Sequence, residues 1–368
     1  MAHATSEQTK GTVGAGSIRL PASSGRSAAW PPLLLAGLVL LAATVVLATS
    51  IGPIAIGPGE TVRIILSHLQ APGIDIDAGS AHDRIIWDVR LPRVLTAVVV
   101  GAALSLAGAS YQAVFRNPLA DPFLLGVAAG AALGATIVIV SPLPLDYYRF
   151  GYVALFAFMG AMAAVFLTYQ LARVGWTVPT TAHVLAGVAV SAAAAAATSF
   201  LMMMHEDRLF VIFSWLYGDF TSASWSKLTS ALPYVAISSL SLLLLGRQLN
   251  VLQLSEDEAK TLGVRVELVK AFVVLMASLA TAVCVAITGL IGFVGLIVPH
   301  ICRLMLGADY RHILPMTIVV GSTLLVLADL GARTLLQPQE IPVGIITAAI
   351  GAPFFLLLLR RQQRSISQ

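Results

Sequence analysis

The stretch Arg116-Asn-Pro-Leu-Ala-Asp-Pro122 is a polar break between two long apolar runs. Upstream, Arg90-Leu-Pro-Arg93 leads into the run Val98-Val-Val-Gly-Ala-Ala-Leu-Ser-Leu-Ala-Gly-Ala-Ser110, and downstream follows Phe123-Leu-Leu-Gly-Val-Ala-Ala-Gly-Ala-Ala-Leu-Gly-Ala135. The polar groups of such a proline-containing segment find no partners in lipid, so they do not cross a bilayer unaided. The break therefore predicts a turn that joins two membrane-spanning helices.

The composition places the whole chain in a membrane. Of its 368 residues, 58% are hydrophobic and 11% are charged, which is more apolar surface than one soluble core hides. A spanning helix needs about 20 mostly apolar residues, whereas a barrel strand needs about 10. The sequence therefore predicts an all-α polytopic membrane protein with about ten transmembrane helices, at residues 31–51, 92–115, 121–141, 151–173, 180–204, 229–247, 267–288, 289–306, 313–330 and 341–359.

The basic residues predict the orientation. An even number of spans puts both termini on one face, and that face carries most of the 22 Lys and Arg residues. Because cytoplasmic segments carry such an excess, both termini are expected in the cytoplasm. Residues 1–29 are then a disordered cytoplasmic tail, with a cleaved signal peptide as the competing interpretation, and residues 362–368 are a second cytoplasmic tail. The net charge of +4 belongs mainly to this membrane face and does not indicate nucleic-acid binding.

Two features of the loops and helices predict local structure. The external loop after the first span holds Thr61–Leu69, which is either a short amphipathic helix or an irregular loop with a helical turn. Glycines four apart, at Gly126, Gly130 and Gly134, and the small-residue run 192–197 let helices approach closely. Both sets of small residues predict tight packing in the bundle.

The loop between the sixth and seventh predicted spans carries a preformed surface helix. Ser255 can cap this helix while Glu258 reaches back, which is the capping-box arrangement. Acidic residues suit the start of a helix, and Gly263 suits its end in a left-handed conformation. The predicted segment comprises Leu254, Ser255, Glu256, Asp257, Glu258, Ala259, Lys260, Thr261, Leu262, Gly263 and Val264.

Few ionisable residues lie in or beside the predicted spans. Asp329 lies near the outer end of one span, and its spacing predicts an ion pair with Arg333 at i+4 in preference to a proton relay. Arg90, Arg93 and Arg333 stand at outer membrane boundaries, where arginine also occurs as an ordinary interfacial anchor.

The chain has no sequence signature for nucleotide binding, catalysis or metal binding. A P-loop ends in Gly-Lys followed by Ser or Thr, and no glycine precedes any of the four lysines, Lys10, Lys227, Lys260 and Lys270. The run Met202-Met-Met-His205 admits a haem-ligand interpretation, but a helix end that leads into a polar loop explains it better. We therefore expect no cofactor in this chain and no enzymatic activity.

The order Arg-Leu-Pro-Arg, apolar helix, Asn-Pro-Leu-Ala-Asp-Pro and Gly-rich helix resembles the FecCD-type permeases, over roughly residues 91–361. These are the membrane subunits of type II ABC importers for iron-siderophores, haem and vitamin B12. The resemblance implies a type II ABC importer permease fold over residues 30–361, in a bacterial inner membrane. It also implies three partners: a second copy of the chain, two ABC ATPase subunits that hold ATP and Mg, and a soluble or lipid-anchored substrate-binding protein.

The resemblance also assigns roles to the motifs. It makes residues 254–264 the coupling helix that docks into an ATPase subunit, and it makes Arg90, Arg93 and Arg333 the residues that receive the acidic residues of the binding protein. It places one gate at Thr180 and Thr181 and a second at Asn117 and Leu119. Pro179 departs from the family pattern at the first gate, and Thr180 could also cap its helix. The arginine at position 116 slightly favours iron chelates over vitamin B12 as cargo.

Two other function classes remain as alternatives. An ion-coupled secondary transporter without an ATPase would carry ionisable residues inside its spans, and these spans are nearly free of charge. An intramembrane enzyme would need a nucleophile with an oriented base, and no spacing links Ser105, Ser110, His300 and Asp329.

Overall fold

The computed structural model describes residues 30–71, 79–143, 151–175, 177–254 and 256–366. These residues form helices joined by turns and short loops, with no β-strand among them. In chain order the α-helices are α1 (Trp30–Ser50), α2 (Pro58–His68), α3 (Ala81–Arg84), α4 (Leu91–Val114), α5 (Val127–Val140), α6 (Gly151–Ala172), α7 (Thr180–Met204), α8 (Leu209–Leu216), α9 (Trp225–Leu244), α10 (Gly246–Val251), α11 (Glu256–Thr261), α12 (Val266–Thr288), α13 (Val294–Leu306), α14 (Tyr310–Thr334) and α15 (Val343–Ile366).

Seven helical stretches in the described chain are long and apolar enough to cross a membrane. They are α1, the continuous stretch Ala81–Val114, α6, α7, α9, α12 and α14. Three shorter apolar helices complete the set: α5, α13 and the part Val343–Leu357 of α15. Each of the ten predicted apolar runs therefore contains a helix, and the predicted all-α membrane architecture is confirmed. Below, the outer end of the bundle is the end where α1 stops and α4 starts, and the inner end is the opposite one.

The centre of the bundle consists of α4, α12 and α14. Most residues of α4 are buried, and this helix packs against α12, α13 and α14. Glycines bring the backbones into contact, since a Cβ added at Gly108 would lie 2.5 Å from the Cα of Gly295, and one added at Gly101 would lie 2.9 Å from the Cα of Ser322. Small residues of this kind permit close packing where the hydrophobic effect does not separate lipid from protein.

A second layer consists of α5, α6 and α7. A Cβ added at Gly130 would lie 2.6 Å from the Cβ of Ala164, and one added at Gly134 would lie 2.7 Å from the carbonyl carbon of Phe156. The prediction of tight packing is confirmed for these two glycines. It is wrong for the small-residue run 192–197 within this chain, because only Ala194 in that run is buried. One side of α7 instead remains open along most of its length.

Two helix boundaries differ from those expected, and one open prediction is confirmed. The second span begins at Ala81 instead of residue 92, because α3 runs through a π-helical segment, Ile85–Arg90, directly into α4. The outer loop forms the helix α2, so the helical interpretation of that loop is confirmed. At the other end of the chain α15 continues to Ile366, beyond the predicted end of the last span at residue 359. The cytoplasmic placement of residues 362–368 stays a prediction. The tail predicted for residues 1–29 lies outside the described residues.

Candidate functional site

The polar break at residues 116–122 forms the predicted turn at the inner end of the bundle. Helix α4 ends with Arg116 in the left-handed region, at φ +47°. The amide of Asn117 donates to the carbonyl of Gln112 at 3.2 Å, and the amide of Arg116 donates to that of Ala113 at 3.3 Å. These two bonds form a Schellman motif, which satisfies the last carbonyls of the helix.

Side chains of the break then shape the chain that follows. The Asn117 side chain accepts a hydrogen bond from the amide of Leu119 at 2.9 Å, and the Asp121 side chain accepts one from the amide of Phe123 at 2.8 Å. A 3₁₀ turn, Pro122–Leu125, leads to Gly126 at φ +87°, the N-cap residue of α5. The motif residues therefore pair with backbone amides of their own turn, as Asn and Asp commonly do.

The four predicted gate residues lie at this inner end. Asn117, Thr180 and Thr181 are exposed, and Leu119 is half-buried. Thr180 is the first residue of α7, whose N-cap position is occupied by Pro179 without a side-chain cap bond. The alternative that Thr180 caps α7 is therefore wrong, while the gating assignment stays a prediction.

The predicted coupling helix is present but short. Helix α11 spans Glu256–Thr261, and Ser255, the predicted cap, lies outside the described residues. Gly263 adopts φ +78°, and the amides of Gly263 and Val264 donate to the carbonyls of Lys260 and Ala259 at 2.9 and 3.2 Å. The predicted left-handed stop at Gly263 is thus confirmed, as a second Schellman motif.

The surface of this helical segment fits a protein contact. Leu254 before α11 is 43% exposed and Leu262 after it is 62% exposed, whereas Ala259 is fully buried. The segment therefore packs through one small residue and presents two large apolar side chains, which is the composition expected of an interface core.

A set of hydrogen bonds joins the segment before α11 to the end of α4. The Nε of Arg116 donates to the carbonyl of Leu252 at 2.7 Å, and the Nε2 of Gln253 donates to the carbonyl of Ala113 at 3.0 Å. No sequence pattern indicates this link, because the two segments are more than 130 residues apart and each bond ends on a backbone carbonyl.

A second link joins the same segment to the start of α14. The Asn250 side chain donates to Asp309 at 2.7 Å and accepts from the amide of Tyr310 at 2.8 Å. A hydrogen bond from Arg311 holds the pKa of Asp309 well below its usual range, so this carboxylate stays ionised as an acceptor. Helix α10 is therefore fixed to the bundle through a side-chain amide that both donates and accepts a hydrogen bond.

Charged residues cluster at the outer end. Arg93 pairs with Asp329 and with Glu340, both at 2.9 Å. Arg333 pairs with Asp329 at 3.1 Å, which confirms the predicted i+4 partner. The side chain of Asp329 is 1% exposed and that of Arg93 is 12% exposed, whereas that of Glu340 is 40% exposed. A buried acid thus joins two arginines, and a second acid connects the cluster to the surface.

Arg90 and Arg333 also bind the end of α1. Arg90 is 6% exposed and donates to the carbonyls of Ser50 and Ile54 at 2.8 and 2.6 Å. Arg333 donates to the carbonyl of Ala48 at 2.8 Å. Cations at a helix C-terminus satisfy the unpaired carbonyls and suit the helix dipole. All three arginines thus have partners inside the chain, and their contact with a binding protein stays a prediction.

Potential ligands for a metal ion or haem iron are scattered among the described residues. The described residues contain no group of three His, Cys, Asp or Glu side chains that could hold a metal ion. The Nδ1 of His205 lies 3.0 Å from the carbonyl of Leu201, and Met203 and Met204 are both exposed. The haem-ligand interpretation of this run therefore stays without geometric support.

Comparison with known proteins relates these features to transport. A sequence model of the FecCD transport family matches residues 40–361. The cobalamin import system permease protein BtuC of Halobacterium salinarum is 43% identical over 279 residues, which cover 76% of this chain and 74% of BtuC. The hemin transport system permease protein HmuU of Yersinia pestis is 42% identical over 286 residues, which cover 77% of this chain and 85% of HmuU.

A solved structure shares the fold. It is an inward-facing conformation described as a metal-chelate type ABC transporter, and it superposes with a TM-score of 0.76 at 34% sequence identity. The superposition covers 90% of this chain and 99% of the other. The predicted ABC permease fold is therefore confirmed.

Proposed function

The chain belongs to the FecCD transport family, and on that premise we propose that it is the permease subunit of an ATP-driven importer for an iron chelate, haem or cobalamin. The superposition on an ABC transporter structure over 90% of the chain is the observation that carries this proposal. The chain carries no P-loop motif, so in this proposal the energy for transport comes from a separate ATPase subunit that holds ATP and Mg.

The assembly we propose holds two copies of this chain, two ATPase subunits and one binding protein, in a bacterial inner membrane with both termini in the cytoplasm. The open side of α7 supports a second copy. Its exposed residues include Leu185, Val188 and Phe200, at 69%, 54% and 58% exposure. Two such helices facing each other would enclose an apolar pathway that binds its cargo weakly.

Helix α11 is the element we propose as the contact with the ATPase. It stands at the inner end, on a loop between α9 and α12, and the residues Leu254 before it and Leu262 after it are exposed. When ATP closes the two ATPases, the groove that holds α11 moves, and the gates at Asn117 with Leu119 and at Thr180 with Thr181 change their opening. Access to the pathway then switches from one membrane face to the other.

The outer cluster is the surface we propose for the binding protein. Of the three arginines at this end of the bundle, Arg93 has the most direct access to the surface, through the exposed carboxylate of Glu340. Arg90 and Arg333 act mainly by holding the end of α1 in place. Charge complementarity at such a rim sets orientation and association rate more than affinity.

The cargo is a chelate or macrocycle of the kind carried by the relatives. The cobalamin and hemin permeases are almost equally similar to this chain, at 43% and 42% identity. The Arg116 side chain binds the carbonyl of Leu252, and the slight preference for iron chelates drawn from this residue stays a prediction. Co-purification of the partner binding protein with its ligand, followed by an absorption spectrum, distinguishes haem, corrinoid and ferric siderophore by colour.

One reconstitution tests the function. The chain is placed in proteoliposomes with or without its candidate ATPase, and both ATP hydrolysis and uptake of the co-purified ligand are measured. We expect uptake only with the ATPase, ATP and the binding protein together. Uptake by the chain alone, driven by an ion gradient, would establish the secondary transporter instead.

A further inference from the structure

Arg116 occupies a backbone position that favours glycine. It is the left-handed residue of the Schellman motif that ends α4, at φ +47°. Residues with a Cβ are strained in this region, and glycine is the usual occupant. An arginine at this position therefore destabilises the helix end, and contacts of its side chain must offset that strain.

The Arg116 side chain reaches the segment that carries α11. Its Nε donates to the carbonyl of Leu252 at 2.7 Å, and Leu252 is 1% exposed. In return, the side chain of Gln253 donates to the carbonyl of Ala113, in the last turn of α4. Two bonds of opposite direction thus join the end of α4 to the chain just before α11.

The partners on both sides are placed to transmit a displacement. Gln253 precedes Glu256, the first residue of α11, by three residues. Arg116 is followed directly by Asn117, whose side chain holds the turn through the amide of Leu119. A shift of α11 toward or away from the bundle would therefore act on the 117–119 turn through these bonds.

We infer that Arg116 and Gln253 are the positioning residues that couple α11 to the inner turn at 117–119. The inference rests on the proposed function, and it assigns the arginine at position 116 to mechanical coupling. Arg116→Gly removes the side-chain bond and relieves the backbone strain. If Arg116 served only the structure, its loss would lower the stability of the chain. If it couples the two segments, its loss should reduce the movement of the turn without lowering stability.

The test measures movement at two sites in the assembled complex. Nitroxide labels are attached at Lys260→Cys, on α11, or at Pro118→Cys, in the turn, after Cys284 and Cys302 have been replaced by alanine. Distances between the two copies are measured by double electron–electron resonance in nanodiscs, with the ATPase present, before and after trapping with ATP and vanadate. No cargo is needed for this measurement.

We expect both distances to change in the chain with Arg116 intact. With Arg116→Gly, the change at residue 260 should persist, while the change at residue 118 should fall to less than half. Gln253→Ala should give the same pattern, as a second variant that leaves the backbone of the turn untouched. A full change at residue 118 in both variants overturns the inference, and no change at residue 260 in the intact chain refutes the proposed function as well.

The chain offers a matched control for backbone strain. Gln70 is the left-handed residue of a similar motif at the end of α2, at φ +57°, and lies at the outer end of the bundle. Gln70→Gly should leave both label distances as in the intact chain. The midpoint of thermal unfolding should not fall in either glycine variant, and a lower midpoint with Arg116→Gly alone would assign Arg116 to structure and overturn the inference.

Discussion

Replacement of Asp329 by asparagine should destabilise the bundle strongly. Asp329 is 1% exposed and is the shared partner of Arg93 and Arg333, whose side chains are 12% and 8% exposed. With Asp329 and Glu340 ionised, the four-residue cluster is neutral, and the substitution leaves one positive charge in excess. Removing one partner from a buried ion pair costs about 3–5 kcal/mol, so we expect a loss of that size in the free energy of unfolding.

The assay is equilibrium unfolding of the detergent-solubilised chain by increasing SDS, followed by tryptophan fluorescence. Glu340→Gln is the matched control, because it removes the other carboxylate of the same cluster at a site that is 40% exposed. Exposed ion pairs contribute about 0–1 kcal/mol, so this control should change little.

A double variant separates loss of charge pairing from loss of shape. Asp329→Asn combined with Arg333→Met removes the unpaired charge, and it should be more stable than the sum of the two single losses by at least about 1 kcal/mol. A loss below about 1 kcal/mol for Asp329→Asn alone, or simple additivity in the double variant, would refute the argument from buried charge.

Three further outcomes follow from single positions. Gly108→Val should prevent close packing of α4 on α13, because even a Cβ at this position would lie 2.5 Å from the Cα of Gly295. The yield of folded protein in an expression assay should therefore fall. Gly331→Ala is the control, since its Cβ would meet its nearest neighbour at 3.8 Å and the substitution should be tolerated. Gly263→Val should destabilise the end of α11 by about 1–2 kcal/mol, because a β-branched residue is strained at φ +78°. The amount of ATPase subunit captured in a pull-down should therefore fall. Capture equal to that of the unchanged chain would contradict this. Glu340→Gln should raise the association rate of the binding protein several-fold at low salt, by surface plasmon resonance, because Arg93 loses a competing carboxylate; an unchanged rate would argue against docking at Arg93.

The sequence predicted elements whose signals are local. The apolar runs located the spans, and α7 begins and ends at the predicted residues, 180 and 204. The pair Asp329 and Arg333 was also predictable, because residues four apart lie on one helix face. The same holds for the left-handed glycine at position 263, which ends α11 as its position after a capped helix suggests.

Contacts between distant segments were not predictable in the same way. Arg93 and Asp329 are 236 residues apart, and Arg116 and Leu252 are 136 apart. An arginine that binds a backbone carbonyl leaves no partner residue type in the sequence, so no pattern points to it. The exposure of the small-residue run 192–197 was missed for a related reason: small residues indicate a close neighbour without saying whether it belongs to the same chain.

The two polar clusters lie at opposite ends of one helix, α4, and this has a thermodynamic consequence. Arg93 lies in the first turn of α4, and Arg116 lies just beyond the last turn. The 24 residues of this helix span about 36 Å. Backbone contacts at Gly101 and Gly108 pack α4 closely against α14 and α13, so a force at one end should move the helix as a whole. If α11 acts on Arg116 and the binding protein acts near Arg93, both bias the position of the same body. Their effects are then reciprocal: whatever factor docking applies to nucleotide affinity, nucleotide must apply to docking affinity.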